Sequence, residues 1–288
     1  MSLHRDTSRQ FDARLRAVAN VTDLPPELDV LKSRLESWQR DTGTPAIDRL
    51  AQSVIDGDPA DAVLLAAAIA QTAASPGVHN GVITGVRSRV HAAIRDTYAA
   101  HAENIYLTVA DQFNTAAQAF TSCAAIAGDP ELPAVAVVDA ADKVRKAWKE
   151  AVVHAADLTR IKPALIAAAY LAGITDDTEE SAFALCADAD NVHRRRAWEA
   201  WDAEEHQAKA ARTAAANLPF TGQELPTPSR CGRWSALVAV GATIRAANPD
   251  DFTPYQRPQP MVEKVINEPG GPRKYIHDPC DDELVAHA

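Results

Sequence analysis

No hydrophobic run in this chain approaches the length of a membrane span. The most apolar stretch, Ala62 to Ala70, covers about nine residues, where a bilayer core needs roughly 20. The N-terminus, Met1-Ser2-Leu3-His4-Arg5-Asp6, has no apolar segment of the kind a secretory signal carries. A soluble protein is therefore expected, cytoplasmic or held within a particle formed in the cytoplasm, with no membrane partner. Cysteine is sparse: Cys123, Cys186, Cys231 and Cys280 are scattered, with no C-x-x-C. A disulfide framework needs denser, paired cysteines in a short chain, so free thiols are expected. Glycine is only 12 of 288 residues and aromatics 6%. Sandwiches and barrels draw on many glycine turns and on β-branched and aromatic residues, so they are disfavoured. Basic charge is also short. The formal net charge is −10, which argues against a nucleic-acid coat, whose affinity comes largely from neutralising phosphates.

Alanine, by contrast, is about one residue in five, and such a mix favours helices. Arginine outnumbers lysine by about 21 to 8, a style that fits a GC-rich genome, such as that of an actinobacterium or its phages. Phe11 to Val21 reads as a short charged helix. Leu28, Leu31, Leu35 and Trp38 share one helical face after Pro25-Pro26, and further helices begin at Thr44-Pro45 and Asp58-Pro59. No proline lies between Pro76 and Pro130. Val82, Val86, Val90, Ile94, Tyr98, Ile105, Val109, Phe113, Ala116 and Phe120 recur there mostly at spacings of 3 or 4. This predicts one helix of roughly 40–48 residues, about 60–70 Å long, bent at Asn104. Leu132 to Lys162 carries the heptad Val137, Ala141, Val144, Trp148, Ala151, Ala155, Leu158, the seam of a coiled coil or antiparallel bundle. Pro163 should break or kink it, with Gly173 as a C-cap. Asp176-Asp177-Thr178-Glu179-Glu180 is a helix N-terminus, and the lack of proline or glycine up to Pro219 predicts a second helix of roughly 40 residues. Ten of the 18 prolines lie from Pro219 onward. After one more helix, Arg233 to Ala247, an extended tail with little secondary structure is expected.

The expected fold is thus all-α: an elongated bundle of about seven to nine helices with coiled-coil-like packing, two of them long, and an extended Pro-rich C-terminal arm. The corresponding divisions are an N-terminal helical arm (1–44), the main bundle (45–217), a linker with a short helix (218–248) and the tail (249–288).

Catalytic signatures are scarce. The sequence contains no G-x-G-x-x-G, no G-x-x-x-x-G-K-[ST], no G-x-S-x-G and no H-E-x-x-H. Glu150 and His154 are four apart, as are Asp202 and His206, not the Glu-x-x-His pair of a di-metal bundle. Arg230-Cys231-Gly232-Arg233 sets a thiol between two guanidiniums before a helix, where a depressed pKa would make it reactive. His277, Cys280, Asp281 and Asp282 offer an H-x-x-C half-site for zinc with no second pair. No cofactor, metal or catalytic residue is assigned.

What does recur is tryptophan beside basic residues. Trp38 has Arg34 and Arg40, Trp148 has Arg145, Lys146 and Lys149, and Trp198 and Trp201 follow Arg194, Arg195 and Arg196. Together with Tyr255 and Arg257 of the proline tail, these residues are the candidate interface, since tryptophan and arginine dominate binding hot spots. Core tryptophans with solvated arginines are the simpler alternative. The same chemistry suits stacking on bases, so a nucleic-acid-associated regulator using residues 194–201 is the second functional expectation. The first is a non-enzymatic assembly protein acting on itself or on other assembly proteins, for instance in a phage particle or another mobile element.

Overall fold

The computed structural model describes residues 7–43, 48, 65–67, 69–70, 76–203, 229–268 and 271–286. The chain divides into two compact units, one comprising Ala13–Thr22 with Tyr106–Ala288, the other Arg5–Asp12 with Asp23–Ile105. The protein is mostly helical, as expected. Two small antiparallel sheets also occur among the described residues.

In the smaller unit, Thr7 and Gln10 form a reciprocal cap. The Gln10 amide donates to Thr7 Oγ1 at 3.3 Å, and the Thr7 amide donates to Gln10 Oε1 at 3.0 Å. This opens helix α1 (Ser8–Ala19). Helix α2 (Pro26–Gly43) starts on proline, whose missing N–H costs nothing in a first turn. It packs on helix α3 (Pro76–Ala99). Phe11, Leu28, Leu35, Ile94 and Tyr98 are buried, with the Phe11 and Tyr98 rings edge to face at 6.3 Å. The helices expected to begin at Thr44-Pro45 and Asp58-Pro59 lie outside the described residues.

The long helix expected from Pro76 to Pro130 is two helices. α3 ends at Ala99, and α4 (Ala102–Ala127) follows after a turn at Ala100-His101. The His101 amide donates to the Tyr98 carbonyl at 2.9 Å. No glycine or proline marks this break, and Asn104 lies past it. The division between the units, at Ile105/Tyr106, falls inside α4, after its first four residues. On α4, Tyr106, Val109, Phe113, Ala117, Phe120 and Ala124 are buried at helical spacing.

After a single turn, α5 (Ala134–Val137), the main helix α6 spans Asp142–Leu171. It begins ten residues later than the expected start at Leu132 and runs through Pro163 instead of breaking there. Pro163 is exposed, while Leu158, Ile161, Ala164, Leu165, Ala168 and Leu171 are buried around it. Burial on both sides outweighs the one missing hydrogen bond, which falls on the solvent face where helices bend most easily. Ala151, Ala155 and Leu158 of the predicted seam are buried within this unit. Gly173 closes α6 with φ 76°: its amide donates to Tyr170 O and the Ile174 amide to Ala169 O, both at 3.0 Å. This is a Schellman end at the predicted residue.

The second long helix is also interrupted. Thr178 caps α7 (Glu179–Cys186) as its sequence implies, accepting from the Ser181 amide, but α7 lasts only eight residues. Strand β1 (Ala187–Asp188) then pairs with β2 (Thr243–Ile244). The Cys186 and Leu185 carbonyls accept from the Arg245 and Ala247 amides at 3.1 Å each. A turn through Asp190-Asn191 leads to α8 (Arg194–Trp201). Helix α9 (Arg233–Ala239) is shorter than expected and ends at Gly241, φ 88°. The core of this unit joins Phe113, Trp201 and Trp234, with Trp234 edge-on to both other rings at 5.8 and 6.4 Å.

The tail carries more structure than its prolines suggest. After a short 3₁₀ turn (Pro249–Asp251), residues 252–261 are irregular. Strands β3 (Val262–Glu268) and β4 (Gly271–His277) then form an antiparallel hairpin, with Lys264 opposite Tyr275. Helix α10 (Pro279–Ala286) follows. Pro269-Gly270 between runs rich in Val, Ile and Tyr is a hairpin signal; the abundance of prolines masks it.

Candidate interaction site

The candidate residues cluster around α8. Helices α7 and α8 present Phe183 and Trp198, whose rings meet edge to face at 6.1 Å, and Tyr255 of the irregular segment packs against both. The Tyr255 ring is edge-on to Phe183 at 4.2 Å and parallel to Trp198, with centroids 6.0 Å apart and planes 9° apart. Its hydroxyl donates to the Arg194 carbonyl at 2.8 Å, and its amide donates to the Glu180 carbonyl at 3.2 Å. Arg257 lies over the Trp198 ring at 4.9 Å and pairs with Glu180 at 2.5 Å. The apolar surface of Tyr255 is thus partly covered and its hydroxyl and amide are bonded, as suits an aromatic with a polar end.

Arg195 fastens the next stretch. Its guanidinium meets the Asp278 carboxylate through Nε and, at 2.9 Å, through a terminal nitrogen, and it donates to the Gln259 carbonyl. Both side chains are only 15% and 12% exposed, so this is a largely buried, two-point ion pair. The Arg195 hydrogen bonds hold Asp278 well below the usual carboxylate range, against the desolvation that would raise it. His193 Nε2 lies 2.9 Å from Asp281 Oδ1, while its Nδ1 is buried without a partner. Cys280 is buried between these contacts.

Arg194, Arg195, Trp198, Tyr255 and Arg257 therefore converge within one chain. Arg196 is exposed. Trp201 lies in the core, its Nε1 donating to Glu179 Oε2 at 3.1 Å, with Lys162 and Arg233 over its ring. Trp148 belongs to a separate place: Arg230 lies over its ring at 3.4 Å, and its Nε1 donates to the Leu132 carbonyl. The side chain of Trp38 lies outside the described residues. Phe183, Glu180 and Asp278, which complete the cluster, carry no mark in the sequence.

Cys231 is not the reactive thiol that its arginine neighbours suggest. It is 3% exposed. Burial first, then the Glu131 carboxylate, push its pKa up to about 11, outweighing Arg230. Glu131 is the organising group here. It accepts from the Ser229 and Ser235 hydroxyls and from the Arg230 and Cys231 amides, at 2.6–2.9 Å. Burial alone would raise its pKa, but these donors hold it below the ordinary value.

The half-site at His277 and Cys280 does not come together either. His277 Nε2 faces Asp282 Oδ2 at 2.9 Å, and Cys280 is buried. His193, Asp278 and Asp281 do bring one ligand atom each within 4.8 Å of one another. Asp278 is already engaged by Arg195, and a cation on His193 Nε2 would force the ring proton onto the buried, unpartnered Nδ1. Beside the arm lies a cavity of about 790 Å³. Its walls include Asp188, Arg245, Asn248, Asp251 and Gln256, with Asp188 and Arg245 paired at 2.8 Å. Among the described residues no helix is long and apolar enough to cross a membrane.

No protein-family model, no curated protein and no solved structure matches the chain.

Proposed function

We propose that this protein is a non-enzymatic assembly component that works through protein–protein contacts, first of all with copies of itself. The observation that carries this reading is the β3–β4 hairpin. Val262, Val265, Ile266, Tyr275 and Ile276 are 37–72% exposed and occupy both faces: Val265 and Ile276 on one, Val262, Ile266 and Tyr275 on the other. A two-stranded hairpin is marginal in water without cover, and clustered exposed apolar side chains mark interaction surfaces. The aromatic and ionic fastening on either side of the hairpin holds it at a fixed place on the body, which suits a docking element.

The finer expectation, an elongated coiled-coil-like particle component in a phage or another mobile element, is part of this proposal and rests on the sequence alone: the heptad from Val137 to Leu158, the absent catalytic motifs, the proline-rich tail and the arginine-rich style. The nucleic-acid alternative draws on the same basic run, but Arg195 is committed to Asp278 and Gln259, which removes its central cation from phosphate binding. The test is the mass of the full chain by light scattering across concentrations, with Val265→Lys and Ile276→Lys as the perturbation. Association that weakens in these variants at unchanged helicity is expected. A monodisperse monomer at every concentration overturns the proposal.

A further inference from the structure

The groove on α7 and α8 reads a short extended motif, Tyr255-Gln256-Arg257-Pro258, through complementary chemistry. The paired rings of Phe183 and Trp198 form an aromatic ledge that takes the tyrosine, Glu180 takes the arginine, and Arg195 takes the Gln259 carbonyl and the Asp278 carboxylate. Groove and arm are far apart in sequence: 61 residues separate Arg194 from Tyr255 and 83 separate Arg195 from Asp278. None of these bonds depends on the arm and the groove belonging to one molecule.

We infer that this groove is an exchange site, in which the arm from Phe252 onward of one copy seats in the α7–α8 groove of a second copy. The occupant is a second copy of this chain because the motif that fits the groove is the chain's own. The inference rests on the assembly reading above and gives it a mechanism. An arm crossing to a neighbour keeps every latch bond and carries the apolar hairpin onto that neighbour. Swapping an identical element is a low-cost route from monomer to oligomer, since the bonds kept are the same and only the connector changes. The connector, Asn248 to Pro254, lacks a strand partner among the described residues and holds two prolines. It is bounded by residues that favour extended backbone.

The experiment is complementation between two full-length variants. One has a damaged groove (Trp198→Ala with Arg195→Ala) and an intact arm. The other has a damaged arm (Tyr255→Ala with Arg257→Ala) and an intact groove. Each alone should show faster protease cleavage near 252–261, by tenfold or more, and reduced association. Mixed, exchange predicts slowed cleavage of the intact arm and a two-chain mass by light scattering. Wild-type association without any recovery in the mixture overturns exchange and leaves the assembly reading standing; a wild-type chain that never associates removes both. As a measurement that needs no damaged groove, a benzophenone amino acid in place of Tyr255 is activated in a mixture of light- and heavy-isotope chains. Cross-links joining light to heavy support exchange, and cross-links within one isotope only refute it.

Discussion

Tyr255 and Trp198 lie ring over ring, 9° apart in plane with centroids 6.0 Å apart, although 57 positions of sequence separate them. Arg257 covers the Trp198 ring at 4.9 Å, and Phe183 meets both Tyr255 and Trp198 edge to face. The arm is therefore held by one aromatic side chain supported on its neighbours, while the ion pair at Asp278 fixes the far end of the hairpin. Both anchors must hold for the hairpin to keep its place, and they can be removed separately.

Tyr255→Ala removes the stacked ring and its hydroxyl bond together. Large-to-small substitutions of buried aromatics cost roughly 3–5 kcal/mol. Tyr255 is only partly buried, so a loss of roughly 2 kcal/mol at the latch is expected on that scale. Tyr255→Phe loses only the bond to the Arg194 carbonyl, about 1 kcal/mol. Amide exchange should accelerate in β3, β4 and α10 in that order of severity and stay unchanged in α4 and α6. Equal acceleration throughout the chain would mean that the arm is part of the global fold and not a separate latch.

Acid should release the far anchor. Asp278 has its pKa depressed in the folded state by Arg195. Its contribution to stability is fully present above the ordinary carboxylate value, near 3.8, and is lost as pH falls through the lower folded value. Arm protection should thus hold down to about pH 4 and decline below it. Asp278→Asn should show the weakened state already at neutral pH, with a flatter pH response. Hydrogen exchange of α10 between pH 3 and 7 reads both; wild-type protection that does not change below pH 4 would mean that the Arg195–Asp278 pair does not hold the arm.

Cys231 should resist alkylation. With the thiol buried and its pKa pushed up to about 11, the thiolate fraction at pH 8 is about a thousandth, before access is considered. Modification should be slow in the folded protein and become fast across the unfolding transition. The control is Glu131→Gln, which removes the negative charge raising the thiol while keeping the shape of the carboxylate. Four donors then face a group that can satisfy them only in part, so a stability loss of roughly 1–3 kcal/mol is expected, together with faster labelling of Cys231. Fast labelling of the native wild type would restore the reactive-thiol reading.

The helices were legible wherever burial and spacing agree. The buried face of α4 and the Gly173 end of α6 follow from residue pattern and turn chemistry alone. The breaks were not. The turn at Ala100-His101 carries no glycine or proline to mark it. The stop after Cys186 had a signal in Asp188-Ala189-Asp190-Asn191, residues that turn chains by bonding their own backbone; the Asp190 amide does donate to Asp188 Oδ1. Five of the candidate interface residues converge on one cluster, yet Phe183, Glu180 and Asp278 could not be read, since pairing across 60 or more positions leaves no trace in spacing.

Pro163 offers the sharpest check on how packing overrides a local rule. Its ring sits on the exposed side of α6 while buried residues flank it on both sides. If burial alone keeps the helix whole, the proline is a pure cost, and Pro163→Ala gives back an N–H able to reach the Thr159 carbonyl. Helix interiors favour alanine over proline by about 3 kcal/mol. A helix already accommodated to the ring should recover only part of that, roughly 1 kcal/mol, or about 2–4 °C in Tm for a domain of this size. A fall in Tm would mean instead that the proline itself helps seat Leu165 and Leu171 in the core, making it a shaping residue of the unit that carries the groove.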